Sequence, residues 1–191
     1  MVNIPQGAPL VYVSFSAEIN PSTTETLIAT MTNLANLTVK EVYLLLSTPG
    51  GRVMNGMNLF NVLRGMPFEL TTHNVGNVDS IGNVVFLAGK KRYATENATF
   101  MFHGVGFDNP QNQRLEEKFL RERLNGLLSD QKRIGNIISQ HTNLSEGEIA
   151  KFFREGESKD ASFAVDKGII HEIRDVQLPA GCPIISLIFK R

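Results

Sequence analysis

The 191-residue chain has no tryptophan and a single cysteine, Cys182. One thiol forms no intramolecular disulfide and builds no thiolate metal site by itself, so a reducing compartment is expected. An excess of charge is missing too: 19 basic residues balance 19 acidic ones. Such a surface offers no field to hold nucleic acid or an anionic membrane non-specifically, and no basic stripe with interleaved aromatics replaces it. No apolar run is long enough to span a bilayer. The opening "MVNIPQGAPLVYVSFSAEIN" lacks the basic and apolar regions of a signal peptide. No His, Asp or Glu spacing resembles a metal site, and no cofactor is expected. These absences lead to the expectation of a soluble cytoplasmic protein with no nucleic-acid or membrane partner. Its length and 42% apolar content suit one domain, residues 1–191, with a sizeable core.

What is present alternates between strand and helix patterns. "LVYVSFSAEI" (10–19) reads as a strand, and Asn20 to Thr23 offer a cap for a helix with Leu27, Met31, Leu34 and Leu37 at helical spacing. "EVYLLLSTPGG" (41–51) is a nearly continuous apolar run ended by a turn signal, as in a strand buried on both faces. A helix over 56–66, a strand over 68–76, a helix over 80–90 and a strand leading to His103 follow. A long amphipathic helix is predicted over 112–140. Two short helices come next, the first with Ser145 and Glu148 in a capping box, and "GCPIISLIFKR" closes as a strand. The pattern predicts an α/β fold with mainly parallel strands.

Three segments of such a sheet converge at the strand ends. In "STPGGRV" (47–53), Gly50 and Gly51 let backbone amides approach a ligand closely. Ser80, at a helix start, is either a cap or a nucleophile beside unpaired N–H groups that favour negative charge. His103 is either a structural histidine or the base that takes the serine proton. His73 reads as a structural histidine that could line the cleft, and His141 as a partner of the last carbonyls of the long helix. Lys90, Lys91 and Arg92 read as a solvated turn.

"STPGGRVMNGMNLFNVLRGM", "VGNVDSIGNVVFLAGKKRYATENATFMFHG" and "FAVDKGIIHEI" resemble the proteolytic subunits of the ATP-dependent Clp protease, with similarity from about Leu10 to Ile173. The resemblance implies a ClpP/crotonase-like fold, a repeated strand-strand-helix spiral with residues 112–140 as a protruding handle helix. It implies a serine endopeptidase cutting unfolded polypeptide inside a ring homo-oligomer, with Ser80 as nucleophile and His103 as general base. The N–H groups of Gly51 and Ile81 become the oxyanion hole. The loop after Gly51 pairs with an extended substrate strand. An AAA+ unfoldase is the implied partner, although Leu45 stands where the family's docking surface has its second aromatic.

The third triad member departs from the family. Counting back from Gly168 puts Gly156 at its position, flanked by Glu155 and Glu157, with Asp160 following. Glu157 and Asp160 are both candidates for the acid, and Asp160 is also a candidate helix cap. A Ser80–His103 dyad helped by water or a backbone carbonyl is the third possibility. Asp79 departs as well: a carboxylate about 6 Å from the oxyanion costs roughly 3 kcal/mol at an effective dielectric of about 20. Two rival functions follow, a weakly active or inactive ring subunit and a crotonase-type acyl-thioester enzyme.

Overall fold

The computed structural model describes residues 3–107 and 115–189. In chain order it forms β1 (Leu10–Ser16), α1 (Pro21–Asn36), β2 (Glu41–Thr48), α2 (Val53–Arg64), β3 (Glu69–Asp79), α3 (Gly82–Phe86), β4 (Lys91–Ala94) and β5 (Thr99–Phe102). Then follow α4 (Glu117–His141), α5 (Glu146–Glu155), β6 (Glu157–Asp160), α6 (Ala161–Asp166), β7 (Glu172–Ile173) and β8 (Ile184–Leu187). The sheet order is β6-β5-β3-β2-β1-β8, with β4 and β7 branching from β3. Among the described strands only β5 and β6 pair antiparallel. Val11, Val13, Phe15, Val42, Leu44 and Leu46 form the buried face of β1 and β2, whereas Tyr43, Leu45 and Ser47 on the other face of β2 are half-buried, so this strand is fully covered on one face and not on both as its apolar run suggested. Asn20 opens α1 with a reciprocal pair of bonds to Thr23, and Leu27, Met31 and Leu34 line its buried face.

β3 changes partner along its length. Thr71–Asn74 pair with β4, and Asn77–Asp79 pair with β5. Between them the register with β2 slips, because Leu46 faces Asn74 while Thr48 faces Val78. Extra residues on one strand bend it and increase its twist. The buried Asn74 side chain stitches the bend, accepting from the Gly76 N–H at 3.0 Å and donating to the Thr99 carbonyl at 2.8 Å. The strand therefore runs on to Asp79 instead of ending at Gly76, since β5 offers it new hydrogen bonds.

Two further departures have physical causes. The helix predicted over 80–90 is reduced to Gly82–Phe86. Ser80 is left-handed, with φ 57°, and cannot continue a right-handed helix, while the Lys90 N–H already returns to the Leu70 carbonyl of the sheet. Arg92 does not belong to a solvated turn. Its guanidinium donates to the carbonyls of Gly89, His141, Gly168 and Ile169, near the C-termini of α3, α4 and α6, where helices leave carbonyls unpaired. His141 also turns Nδ1 to the Ile137 carbonyl at 2.9 Å, as expected of a residue ending a helix.

The long helix is α4; residues 112–114 of its predicted span lie outside the described residues. Only Ile134 and Ile138 of α4 are buried. Leu120, Leu124 and Leu128 share one face and are 44%, 53% and 52% exposed.

His73 is fully buried, with Nδ1 2.8 Å from the Tyr43 hydroxyl. Burial pushes its pKa down to about 4, because the imidazolium would lose its hydration. An unfolded histidine titrates near 6.5. Its contribution to stability is therefore complete above about pH 6.5 and is lost as the pH falls towards 4, by an amount on the order of 3 kcal/mol. Urea midpoints at pH 7 and pH 4.5 should show this loss in the wild type and a flatter dependence in His73→Gln. Equal slopes for the two would remove His73 as the cause.

Candidate active site

β2 ends in the turn Thr48–Gly51. Gly50 and Gly51 have φ of 87° and 145°, where side chains are strained. Space excludes side chains as well. A Cβ on Gly50 would lie 2.7 Å from Ser80 Cβ and 2.8 Å from the Asp79 carbonyl oxygen, and one on Gly51 would strike the Ile19 carbonyl. The Ile19 N–H donates to the Gly50 carbonyl at 2.7 Å, and the Arg52 N–H to the Ile19 carbonyl at 2.8 Å. This short parallel bridge leaves the Gly51 N–H without a backbone acceptor among the described residues.

Ser80 occupies the elbow between β3 and α3. A left-handed serine costs of order 1 kcal/mol or more and persists only where its surroundings hold it. Its N–H donates to the Met101 carbonyl of β5 at 2.8 Å. Its hydroxyl caps no helix: α3 starts behind Ile81 with no side-chain cap. The expected helix-start setting is thus a strand–helix elbow, and a five-residue helix adds little dipole. Ser80, His103, Gly51 and Ile81 line one cavity of about 190 Å³, with Phe102, Ile134, Ile138 and Phe153 as an apolar wall. Both residues line this cavity, and no hydrogen bond joins the Ser80 and His103 side chains. A larger groove of about 820 Å³ continues from Gly51 and Asn55 past Val105 and Phe107 to Glu122 and Asp130 of α4.

The strand β6, unforeseen in the sequence, decides the position of the candidate acids. Phe102 faces Glu157 and Thr99 faces Asp160 across the antiparallel ladder. The next rung sets Gly156 opposite His103, and a Cβ on Gly156 would sit 3.7 Å from His103 Cβ. Side chains alternate faces along a strand, so Glu157 lies on the face away from His103. Its carboxylate pairs with Lys159 and, at 3.1 Å, with Lys151, which hold its pKa below the usual carboxylate value. Asp160 is four residues beyond Gly156, about 13 Å at the usual strand rise. Its Oδ1 accepts the Phe163 N–H at 2.8 Å and caps α6. Glu155 is exposed and pairs with Lys151 at 3.5 Å. Gly156, with φ 67°, closes α5 through its N–H to the Phe152 carbonyl. The structure brings Ser80, His103, Gly51 and Ile81 together and leaves Glu157 and Asp160 off the cavity.

Asp79 does not line that cavity either. Its Oδ2 accepts from Asn77 Nδ2 at 2.6 Å. Asn77 in turn donates to the Thr48 carbonyl and accepts from the Ser47 hydroxyl at 3.0 Å. One residue of this region escaped the sequence reading: Asn83, a lone amide directly before the apolar run "VVFLAG", whose only signal was its polarity.

The family profile described as Clp protease matches residues 11–177. The chain belongs to the Clp protease family. It is 29% identical over 171 residues to the ATP-dependent Clp protease proteolytic subunit 2 of Treponema pallidum, covering 84% of this chain and 80% of that relative. It is 26% identical over 143 residues to proteolytic subunit 1 of Leifsonia xyli, covering 73% and 70%. A solved structure of a ClpP1 mutant from Listeria monocytogenes matches 87% of this chain and 92% of its own, with a TM-score of 0.75 at 21% identity. That likeness establishes the ClpP/crotonase-like fold. Membership of the family makes the chain a serine-type endopeptidase.

The capping bond makes a prediction about Asp160. Asp160→Ala should lower stability by about 0.5–2 kcal/mol, and Asp160→Asn, which still caps, by much less. Denaturant melts of both variants check this, and equal losses would remove the capping role.

Proposed function

We propose that this protein hydrolyses unfolded polypeptide through a Ser80–His103 dyad inside a ring-shaped homo-oligomer in the cytoplasm. One observation carries the reading: strained Ser80, His103 and the N–H-bearing Gly51 and Ile81 line the same cavity. Neutral His103 takes the Ser80 proton as Oγ attacks the substrate carbonyl carbon. The oxyanion of the tetrahedral intermediate lies between the N–H groups of Gly51 and Ile81, each worth about 3 kcal/mol in such a site. His103 then returns the proton to the leaving amine. Water, deprotonated by the same imidazole, attacks the acyl-enzyme and frees the serine. The long groove beside Gly51 suits an extended chain added as a strand, with an apolar side chain against Ile134 and Ile138.

Gly156 is the reason for preferring a dyad to a triad. The rung opposite His103 holds no side chain, so the imidazole is oriented by water or a backbone carbonyl. Loss of the orienting carboxylate costs up to about 10⁴ in kcat in a related site, so basal turnover should be low. The same glycine favours a second reading, a ring subunit without activity of its own. The exposed Leu120–Leu124–Leu128 stripe supports oligomerisation, since exposed apolar faces mark interfaces. An AAA+ unfoldase is the proposed partner; Tyr43, stacked 6.4 Å from Tyr93, keeps an aromatic pair on the sheet despite Leu45.

A fluorophosphonate probe should label the wild type and not Ser80→Ala, whereas no labelling of either supports the inactive subunit. Peptide turnover should survive Glu155→Gln, Glu157→Gln and Asp160→Asn alike; collapse at one of them would identify an acid and end the dyad. Light scattering at micromolar concentration should give a multiple of the chain mass, and a monomer would contradict the ring.

A further inference from the structure

Asn83 is the only polar residue of α3 and is 2% exposed. Its Nδ2 donates to the Ser80 carbonyl at 3.1 Å and to the Met101 carbonyl at 2.8 Å. The Met101 carbonyl also accepts the Ser80 N–H, at 2.8 Å. Both sides of Ser80 are therefore tied to one carbonyl of β5, directly through its N–H and indirectly through the Asn83 amide. Two residues after Met101 comes His103. Asn83 Oδ1, meanwhile, is buried with no partner among the described residues. An unsatisfied buried acceptor is destabilising, and an alanine or valine would avoid that cost. What asparagine supplies, and no apolar residue does, is two N–H donors on a short stem between two acceptors. Aspartate has the same shape but would turn an anion towards both carbonyls.

We infer that Asn83 is a positioning residue for the nucleophile: it clamps the left-handed Ser80 peptide to β5, and so sets the distance and angle between Ser80 Oγ and the His103 imidazole. This inference rests on the Ser80–His103 dyad proposed above. Misplacing a reacting group by about 1 Å costs on the order of 10²-fold in rate, so the clamp acts on kcat while leaving the substrate groove in place.

The test is a double-mutant cycle. Rates of fluorophosphonate labelling and peptide turnover are measured for wild type, Asn83→Ala, His103→Ala and the double variant, with urea midpoints to correct for the folded fraction. Asn83→Ala should lower kcat about 10–100-fold with KM changed less than about twofold, and slow labelling to the same extent. Asn83→Asp should lose at least as much. In the His103→Ala background Asn83→Ala should cost less than about twofold more, because the pairing it serves is already gone. Asn83→Ser, with one donor and a smaller volume change, should fall between wild type and alanine, and provides the same comparison if the alanine variant does not fold. An equal loss in both backgrounds would make Asn83 a merely structural residue and overturn the inference, as would a folded Asn83→Ala or Asn83→Ser labelled at the wild-type rate. A wild type that is never labelled at Ser80 overturns the dyad itself, and with it this role.

Discussion

Each edge of β3 must keep its backbone groups hydrogen-bonded, and β3 meets this demand by leaving β4 for β5 beyond the bulge at Val75–Asn77. Most of the site depends on that switch. Had the strand ended with β4, its last residue would stop level with Leu46. Instead it runs on to Asp79 beside the end of β5, and His103 is the residue that follows β5. The histidine and serine are 23 positions apart in sequence, and hydrogen bonds between two strand ends make them neighbours. Asn74, buried in the bend, and Asn83, buried in the elbow, are the two amides that secure the crossing.

Sterics complete what the hydrogen bonds begin. Gly50 packs on Ser80 Cβ at a distance no side chain tolerates, so the turn after β2 lies directly against the elbow. That contact brings the Gly51 amide to the same cavity as Ile81. A small residue is needed at Gly50 whatever the chemistry, and the amide beside it is a consequence of the packing. The strain at Ser80 is held by the same neighbours.

Electrostatics then leaves the cavity nearly bare of charge. Asp79 is tied to Asn77, Glu157 to Lys159 and Lys151, and Asp160 to the first turn of α6. Of the described residues lining the smaller cavity, His103 alone is titratable. α4 follows a different logic. It is anchored by Ile134, Ile138 and the Arg92 bond to its last carbonyl, and its N-terminal half stands clear of the core.

The amino-acid sequence by itself determined the alternation of strands and helices, because apolar periodicity and caps such as Asn20 and Ser145 act locally. It also placed Gly51, Ser80, Ile81 and His103 as candidates, since their order and intervals match those of a known family. The partner switch of β3, the left-handed Ser80, the strand β6 and the bonds of Asn83 to the Ser80 and Met101 carbonyls were decided only by tertiary structure. Each depends on which backbone groups another segment leaves unpaired. "ESKD" carries no strand pattern of its own; it becomes β6 because β5 presents a free edge, and that pairing turns Glu157 away from His103 and sets Gly156 across from it. No local rule in the sequence contains that edge.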